Sequence, residues 1–205
     1  NTKDFTESYR TLNESLGNIK NVIFLHENII LLPGATLLAT NGWTSFDFSD
    51  GKHQQHDTIE FLDQRGINSE ESSIKITHMA MADQHYLQNS LAICQTMSDC
   101  QNIILITSSV PKLEFIQHNE DYYGTVLGDV CGNKSITRCL DADTENKVST
   151  WVFGTYPGEI DSVVNDVRFV SNPGKDKDLD IYYPKNLDHP KFRDRLMTRW
   201  INYLR

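Results

Sequence analysis

The chain has 205 residues, a hydrophobic content of 39% and a formal net charge of -9, which suits one globular domain or a large part of one. The negative charge disfavours general nucleic-acid binding, because the phosphates would be repelled. No apolar run approaches the roughly 20 residues that a membrane span needs, and polar residues 1–10 do not resemble a signal peptide. We therefore predict an intracellular, cytoplasmic protein without membrane contact.

The first third of the chain predicts one helix and three short strands. Apolar and aromatic residues recur at helical spacing and predict a helix over residues 5–16. Apolar runs predict strands over residues 22–25, 29–32 and 35–39, and Pro33-Gly34 indicates a turn between the last two. Residues 41–66 are polar and are predicted to form a loop with one short helix.

The middle of the chain alternates between helical and strand patterns. Residues 73–96 predict a helix, with Met79, Leu87, Leu91 and Ile93 on its apolar face. Residues 103–106 form a bare apolar run that is typical of a strand buried on both faces, and a loop follows over 107–111. Residues 135–140 predict a short helix, and residues 149–153 predict a second buried strand.

The last part of the chain predicts a hairpin and a final helix. Strands over 160–164 and 167–170 flank Asn165-Asp166, a turn signal. Asp188 is expected to cap a helix over residues 188–205, with Pro190 in its first turn. This order of elements argues for a layered α/β or α+β domain. We treat residues 1–205 as a portion of one domain.

Four cysteines, Cys94, Cys100, Cys131 and Cys139, lack the two-residue spacing of a zinc knuckle. In a chain of this size without a signal peptide, free thiols are the expected state. This cysteine usage favours a reducing compartment.

Five short segments share a pattern, in order, with one enzyme family. The segments are residues 21–25, 34–38 with 42–44, 103–111, 151–154 and 167–173. Together they resemble the calcineurin-like metallophosphoesterases and cover most of residues 21–174. The resemblance implies that family's α/β fold, an α+β sandwich, of which this chain would hold the C-terminal portion.

The same resemblance implies a site that has lost its ligands. In that family two metal ions at the C-terminal ends of sheet strands clamp the phosphate, held by Asp, His and Asn. The family's N-terminal ligand motifs have no counterpart in this chain. At the histidine positions of the C-terminal motifs this chain has Ser108 and Ser109 in the first, and Thr155 and Pro157 in the second. Hydroxyls are poor substitutes for imidazole, and proline offers no donor atom, so we expect no metal here.

Asn133 is a candidate for substrate binding. In relatives of that family its segment approaches the site, and the helix that follows could present its N-terminus to a phosphate. A helix cap is an equally good interpretation. Similarly, Trp151 to Gly154 can be read as a core strand with a tight exit turn.

Several histidines are candidate metal ligands. His53 and His56 lie in a polar loop with Asp50 and Asp57, which could hold a metal but is more typical of a solvated loop. His78 and His85 are two helical turns apart, too far to chelate one ion without other ligands. His118 stands alone and reads as a surface residue.

Two functions compete, and whether the protein is an enzyme stays open. The first is a non-catalytic structural or interaction module that meets a protein partner or an N-terminal segment outside this chain. The second is part of a metal-dependent phosphoesterase, using Mn, Fe or Zn, whose remaining ligands lie on another segment or chain. A third, phosphate or nucleotide binding through the basic stretch 175–205, rests on charge alone. We favour the first, with no cofactor on this chain.

Overall fold

The computed structural model describes residues 5–19, 23–48, 57, 60, 69–156 and 158–171. The strands are β1 (Asn28–Leu32), β2 (Ala35–Ala39), β3 (Ile103–Thr107), β4 (Val148–Phe153), β5 (Ile160–Val164) and β6 (Val167–Ser171). Helices include α1 (Phe5–Gly17), α2 (Ser69–Thr96) and α3 (Val126–Cys131), with 3₁₀ helices at Leu113–Phe115 and Ile136–Ala142. Among these described helices, none has the length and apolar character to cross a bilayer.

The six strands form one mostly parallel sheet in the order β1-β2-β3-β4-β6-β5. Strands β2, β3, β4 and β6 run parallel, whereas the outer strands β1 and β5 pair antiparallel with their neighbours. Parallel neighbours need long crossovers, and α2 supplies the one between β2 and β3. The α/β class predicted from the sequence is confirmed at this level.

One face of the sheet packs into the core. Because side chains alternate along a strand, the register places Leu38, Leu105, Trp151 and Phe169 on the same face, and all four are 0% exposed. On the opposite face Ile104, Ile106 and Val152 are only partly buried. The prediction that residues 103–106 are buried on both faces is therefore only half right.

Helix α2 lies against the core through a stripe at helical spacing. The stripe is Ile76, Ala80, Asp83, Leu87, Leu91 and Cys94, all buried, and its three- and four-residue steps match one helix face. Leu87 and Leu91 were predicted on this face, but Ile93 is 52% exposed. An aspartate, Asp83, occupies the middle of the apolar stripe.

The C-terminal end of α2 is joined to the start of β4. Lys147 Nζ donates to the carbonyls of Cys94, Gln95 and Met97 at 3.0, 3.1 and 3.4 Å. Asp143 accepts from the backbone N–H groups of Lys147 and Val148, both at 2.8 Å. The last carbonyls of a helix lack intrahelical partners, so this cation satisfies them and fixes the register of helix against strand.

The structure modifies several predicted elements. The described part of the predicted strand 22–25 is not a strand, and an isolated bridge from His26 to Ala39 follows it. The predicted helix 135–140 is a 3₁₀ helix, Ile136–Ala142. Helix α3 was not predicted, and Thr125 caps it by accepting from Gly128 N at 3.3 Å. The predicted helix 188–205 lies outside the described residues.

Replacing the central tryptophan tests this account of the core. Trp151 is 0% exposed, its indole N–H donates to Thr107 Oγ1 at 3.0 Å, and its ring stacks on Phe169. We expect Trp151→Ala to lower the free energy of unfolding by about 3–5 kcal/mol, because a large cavity opens, as measured by urea denaturation. Val163→Ala, at a side chain that is 63% exposed, should change it by less than about 0.5 kcal/mol. Equal effects would contradict this description.

Candidate functional site

The carboxyl ends of three parallel strands lie side by side. Thr40 N donates to Ile106 O at 3.1 Å, Ser108 N donates to Asn41 O at 2.8 Å, and Gly154 N donates to Thr107 O and Ser108 O, both at 3.2 Å. We call residues 40–44, 108–110 and 154–156 the exit edge. Ligands of open α/β sheets commonly bind outside the carboxyl ends of strands, so this edge is the first place to search for chemistry.

Two predicted positions, Ser108 and Thr155, meet at the exit edge. Their hydroxyl oxygens are 3.0 Å apart, at hydrogen-bonding distance, and the contact is exposed. Thr155 has a φ of 59°, which is rare for a β-branched residue and costs on the order of 1–3 kcal/mol. The pair is neutral, and a serine hydroxyl without an adjacent base is a weak nucleophile. Pro157 lies outside the described residues.

Residues 40–44, which follow β2 and which we call the β2 exit loop, pack tightly against the end of β3 and the residues that follow it. Gly42 has a φ of +66°, and a Cβ built there would lie 2.8 Å from Ser109 Oγ and 3.0 Å from Thr107 Cβ. Only glycine fits both that backbone conformation and that space. Ser109 is 4% exposed, and its hydroxyl has no hydrogen-bond partner among the described residues.

Asn133 is buried and fully engaged with its own chain. Its amide nitrogen donates to Trp43 O at 2.7 Å. Its carbonyl oxygen accepts from Ser135 N, Ser135 Oγ and Ile136 N at 3.1, 2.9 and 3.0 Å. The side chain thus ties the β2 exit loop to the start of the 3₁₀ helix Ile136–Ala142. This geometry agrees with the capping interpretation.

Asp83 holds the same loop from the other side. Its carboxylate accepts from the hydroxyl of Thr40 and from Trp43 N, the latter at 2.9 Å. The side chain is 2% exposed. Burial raises the pKa of the Asp83 carboxyl above its ordinary value, while the hydrogen bonds from Thr40 and Trp43 and the nearby His26 act in the opposite direction.

His26 and Glu27 approach Asp83 from the start of β1. One ligand atom of each residue lies within 4.8 Å of those of the other two. His26 Nε2 is 3.8 Å from Glu27 Oε1, and their side chains are 15% and 52% exposed. This group of three, which we call the His26 cluster, combines one imidazole with two carboxylates.

The thiols offer no nucleophile. All four cysteines are buried and free. Burial raises the pKa of Cys131 to about 12, and burial together with Cys100 raises the pKa of Cys94 to about 12. Burial also raises the pKa of Cys139. A reactive cysteine needs a lowered pKa and access to solvent; all four thiols lack that access, and the pKa values of Cys94, Cys131 and Cys139 are raised.

Three of the histidines considered as metal ligands lie at the surface. His78, His85 and His118 are exposed, and His118 Nε2 lies 3.2 Å from the side chain of Gln117. His53 and His56 lie outside the described residues. Sequence reasoning missed the His26 cluster, although one signal was present: Asp83 interrupts the apolar stripe of α2.

Comparisons with known proteins give one structural neighbour. No family model matches the chain, and no curated protein matches it. The fold is similar to the crystal structure of phosphopantetheinyl hydrolase (PptH) from Mycobacterium tuberculosis, with a TM-score of 0.54 and 14% sequence identity. The match covers 82% of this chain and 61% of that one. At this identity the likeness concerns the fold alone, which is one that a hydrolase also has.

These findings correct the family assignment made from the sequence. The five motifs that resemble the calcineurin-like metallophosphoesterases are not supported by any family model or curated relative, and the assignment is wrong. What the findings support is a mixed α/β fold with a mostly parallel sheet. The predicted sandwich of that family is not confirmed.

Removing the Asn133 amide tests its anchoring role. Asn133→Ala leaves the Trp43 carbonyl and the Ser135 and Ile136 N–H groups without this partner, so the free energy of unfolding should fall by about 2–4 kcal/mol. Asn89→Ala, at an exposed position of α2, is the control and should change it by less than about 0.5 kcal/mol. Both are measured by urea denaturation; a stability loss no larger than the control's would refute the anchoring role.

The raised pKa of Asp83 predicts a pH dependence with a definite sign. A carboxyl whose pKa is higher in the folded than in the unfolded chain stabilises the fold below its unfolded pKa, and this contribution disappears as pH rises through the folded pKa. We therefore expect the stability of the wild type, relative to Asp83→Asn, to fall as pH rises from about 4. Urea denaturation at a series of pH values, with a chelator present, measures the difference. A difference that is constant or grows with pH would contradict the shift.

Proposed function

We propose that this chain is a non-catalytic α/β module with a structural or interaction role, on a fold that it shares with a hydrolase. The observation that carries the proposal is the contact between Ser108 and Thr155, which fills the exit edge of β3 and β4 with two neutral hydroxyls bonded to each other. Hydrolysis needs an activated nucleophile or a metal-bound water, and this pair provides neither a base nor a strong ligand.

The neighbouring polar groups support the proposal because they serve the protein itself. Thr107 Oγ1 accepts from Trp151 and donates to Ser109 O. The Asn133 amide is engaged on both of its ends. Thr44 donates to the carbonyls of Asp129 and Gly132. Catalytic groups must be able to exchange partners with a substrate, whereas these groups hold the exit loops together.

An interaction role is supported by apolar side chains on the two outer strands. Leu31 on β1 is 49% exposed and Val163 on β5 is 63% exposed. An edge strand presents backbone groups that can pair with another chain, and an apolar side chain adds buried area to such pairing. The occupant that we propose is a protein surface or an N-terminal segment outside this chain.

A second candidate is part of a hydrolase whose other site residues lie outside this chain. The similarity to PptH favours it, because the match leaves 39% of that enzyme, the remainder of the 61% covered, without a counterpart here. On this reading Ser108 and Thr155 would contact substrate, and a divalent metal (Mn, Fe or Zn) would be held largely by the other segment.

An assay for phosphoester cleavage separates the two candidates when it is run on the protein together with any segment or partner chain that accompanies these residues in the cell. That protein is incubated with Mn²⁺ and a chromogenic bis-aryl phosphate, and in parallel with a phosphopantetheinylated protein, the substrate class suggested by the neighbour's name. We expect turnover no higher than that of the double variant Ser108→Ala/Thr155→Val, because the hydroxyl pair activates no nucleophile.

A second experiment, a titration, detects a site that binds phosphate without cleaving a substrate. Inorganic phosphate is added to ¹⁵N-labelled protein while the amide resonances of Ser108, Ser109 and Thr155 are followed. No saturable shift is expected. Metal-dependent turnover that the double variant loses, or a saturable phosphate shift at these amides, would overturn the non-catalytic proposal in favour of the hydrolase.

A further inference from the structure

We propose that the His26 cluster, made of His26, Glu27 and Asp83, is a binding site for a divalent transition-metal cation of the zinc class. The site lies at the exit of β2 and involves none of Ser108, Thr155 or Asn133. It is independent of the proposed function, since a module can bind a structural ion and catalyse nothing.

The spacing of the three residues suits a shared ion. Their ligand atoms all lie within 4.8 Å of one another. Nitrogen and oxygen ligands sit about 2.0–2.2 Å from zinc in a tetrahedral arrangement, so two ligands of one ion are about 3.4 Å apart. His26 Nε2 and Glu27 Oε1 are already 3.8 Å apart, and the Glu27 side chain, which is 52% exposed, has room to adjust its position around an ion.

The donor set selects the class of cation. One imidazole and two carboxylates match the His and Asp/Glu ligands of zinc sites, with the fourth position open to water. Calcium and magnesium prefer oxygen ligands throughout. None of the four cysteines, all of which the structure describes, belongs to this group of ligand atoms.

The buried carboxylate is an independent observation that points to a cation. Asp83 is 2% exposed within the apolar stripe of α2, and buried charges in proteins are paired or coordinate metals. Thr40 and Trp43 N orient the carboxylate, as outer hydrogen bonds orient metal ligands. A carboxylate has about four lone-pair sites, so the hydrogen bonds from Thr40 and from the backbone of Trp43 and Gly42 leave one for a metal bond.

The other two ligands are held by backbone pairing. Glu27 N donates to Ala39 O at 3.0 Å, and His26 forms a bridge with the same residue. The amide of Asn28 donates to the carbonyls of Phe24 and His26 at 2.9 and 3.0 Å. These contacts fix the chain before β1 against the end of β2, facing Asp83. A bound ion would therefore link α2 to the β1–β2 hairpin.

Zinc titration of the purified, chelator-treated protein tests the site. Isothermal titration calorimetry should give one Zn²⁺ per chain, and the thermal midpoint should rise, because a cation that binds the folded state stabilises it. His26→Gln and Glu27→Gln should each weaken binding at least about tenfold and reduce the rise. The control is His85→Gln, which removes an exposed histidine from the same helix as Asp83 and should bind like the wild type.

Two features of the design keep the test decisive. Glu27 is half exposed, so circular dichroism should show Glu27→Gln folded, and the test does not depend on Asp83→Asn remaining stable. The proposal is overturned if the wild type shows no saturable zinc binding, or if His26→Gln and Glu27→Gln bind as tightly as the wild type. The non-catalytic proposal fails by a different readout, substrate turnover lost on changing Ser108 and Thr155.

Discussion

The burial of one carboxylate constrains the whole exit region of this fold. Asp83 sits at the centre of the apolar face of α2, where an unsatisfied charge would be strongly destabilising. The structure satisfies it with Thr40 and the backbone of Trp43. Because both donors belong to the loop after β2, the helix position and the path of that loop depend on each other.

Buried side chains that hydrogen-bond to the backbone also hold the β2 exit loop from its other side and fix the C-terminal end of α2. Asn133 binds the Trp43 carbonyl, so the β2 exit loop is held from two sides by buried side chains. Lys147 and Asp143 do the equivalent at the C-terminal end of α2. Buried side-chain bonds to backbone favour one arrangement, because each alternative leaves a polar group without a partner. Two buried side chains, Asp83 and Asn133, therefore fix the path of the β2 exit loop.

Most of the fold was predicted from the spacing of apolar residues along the chain. What was missed depends on contacts between residues that are far apart in sequence. Helix α2, strands β1 to β4 and the β5–β6 hairpin follow from apolar spacing and turn residues. Asp83 and His26 are 57 positions apart, and nothing local indicates that they meet. The same reasoning explains the wrong family assignment. Short apolar segments ending in small or polar residues are what any parallel sheet requires. Five such segments in order therefore indicate an architecture, and they do not show membership of one family.

Fold and site carry separate information about this protein. The likeness to a hydrolase at 14% identity concerns the arrangement of strands, and one fold hosts many functions. The chemistry that each part of the edge can perform depends on its side chains. Two neutral hydroxyls lie at the ends of β3 and β4, whereas a buried carboxylate lies near an imidazole and a glutamate at the end of β2. A cation that neutralises this second group binds only the arrangement in which helix, loop and hairpin meet. Because the cation has a higher affinity for that arrangement than for any other, its binding would raise the fraction of molecules that adopt it. The end of β2 is therefore the place where a small ligand can change the stability of the fold.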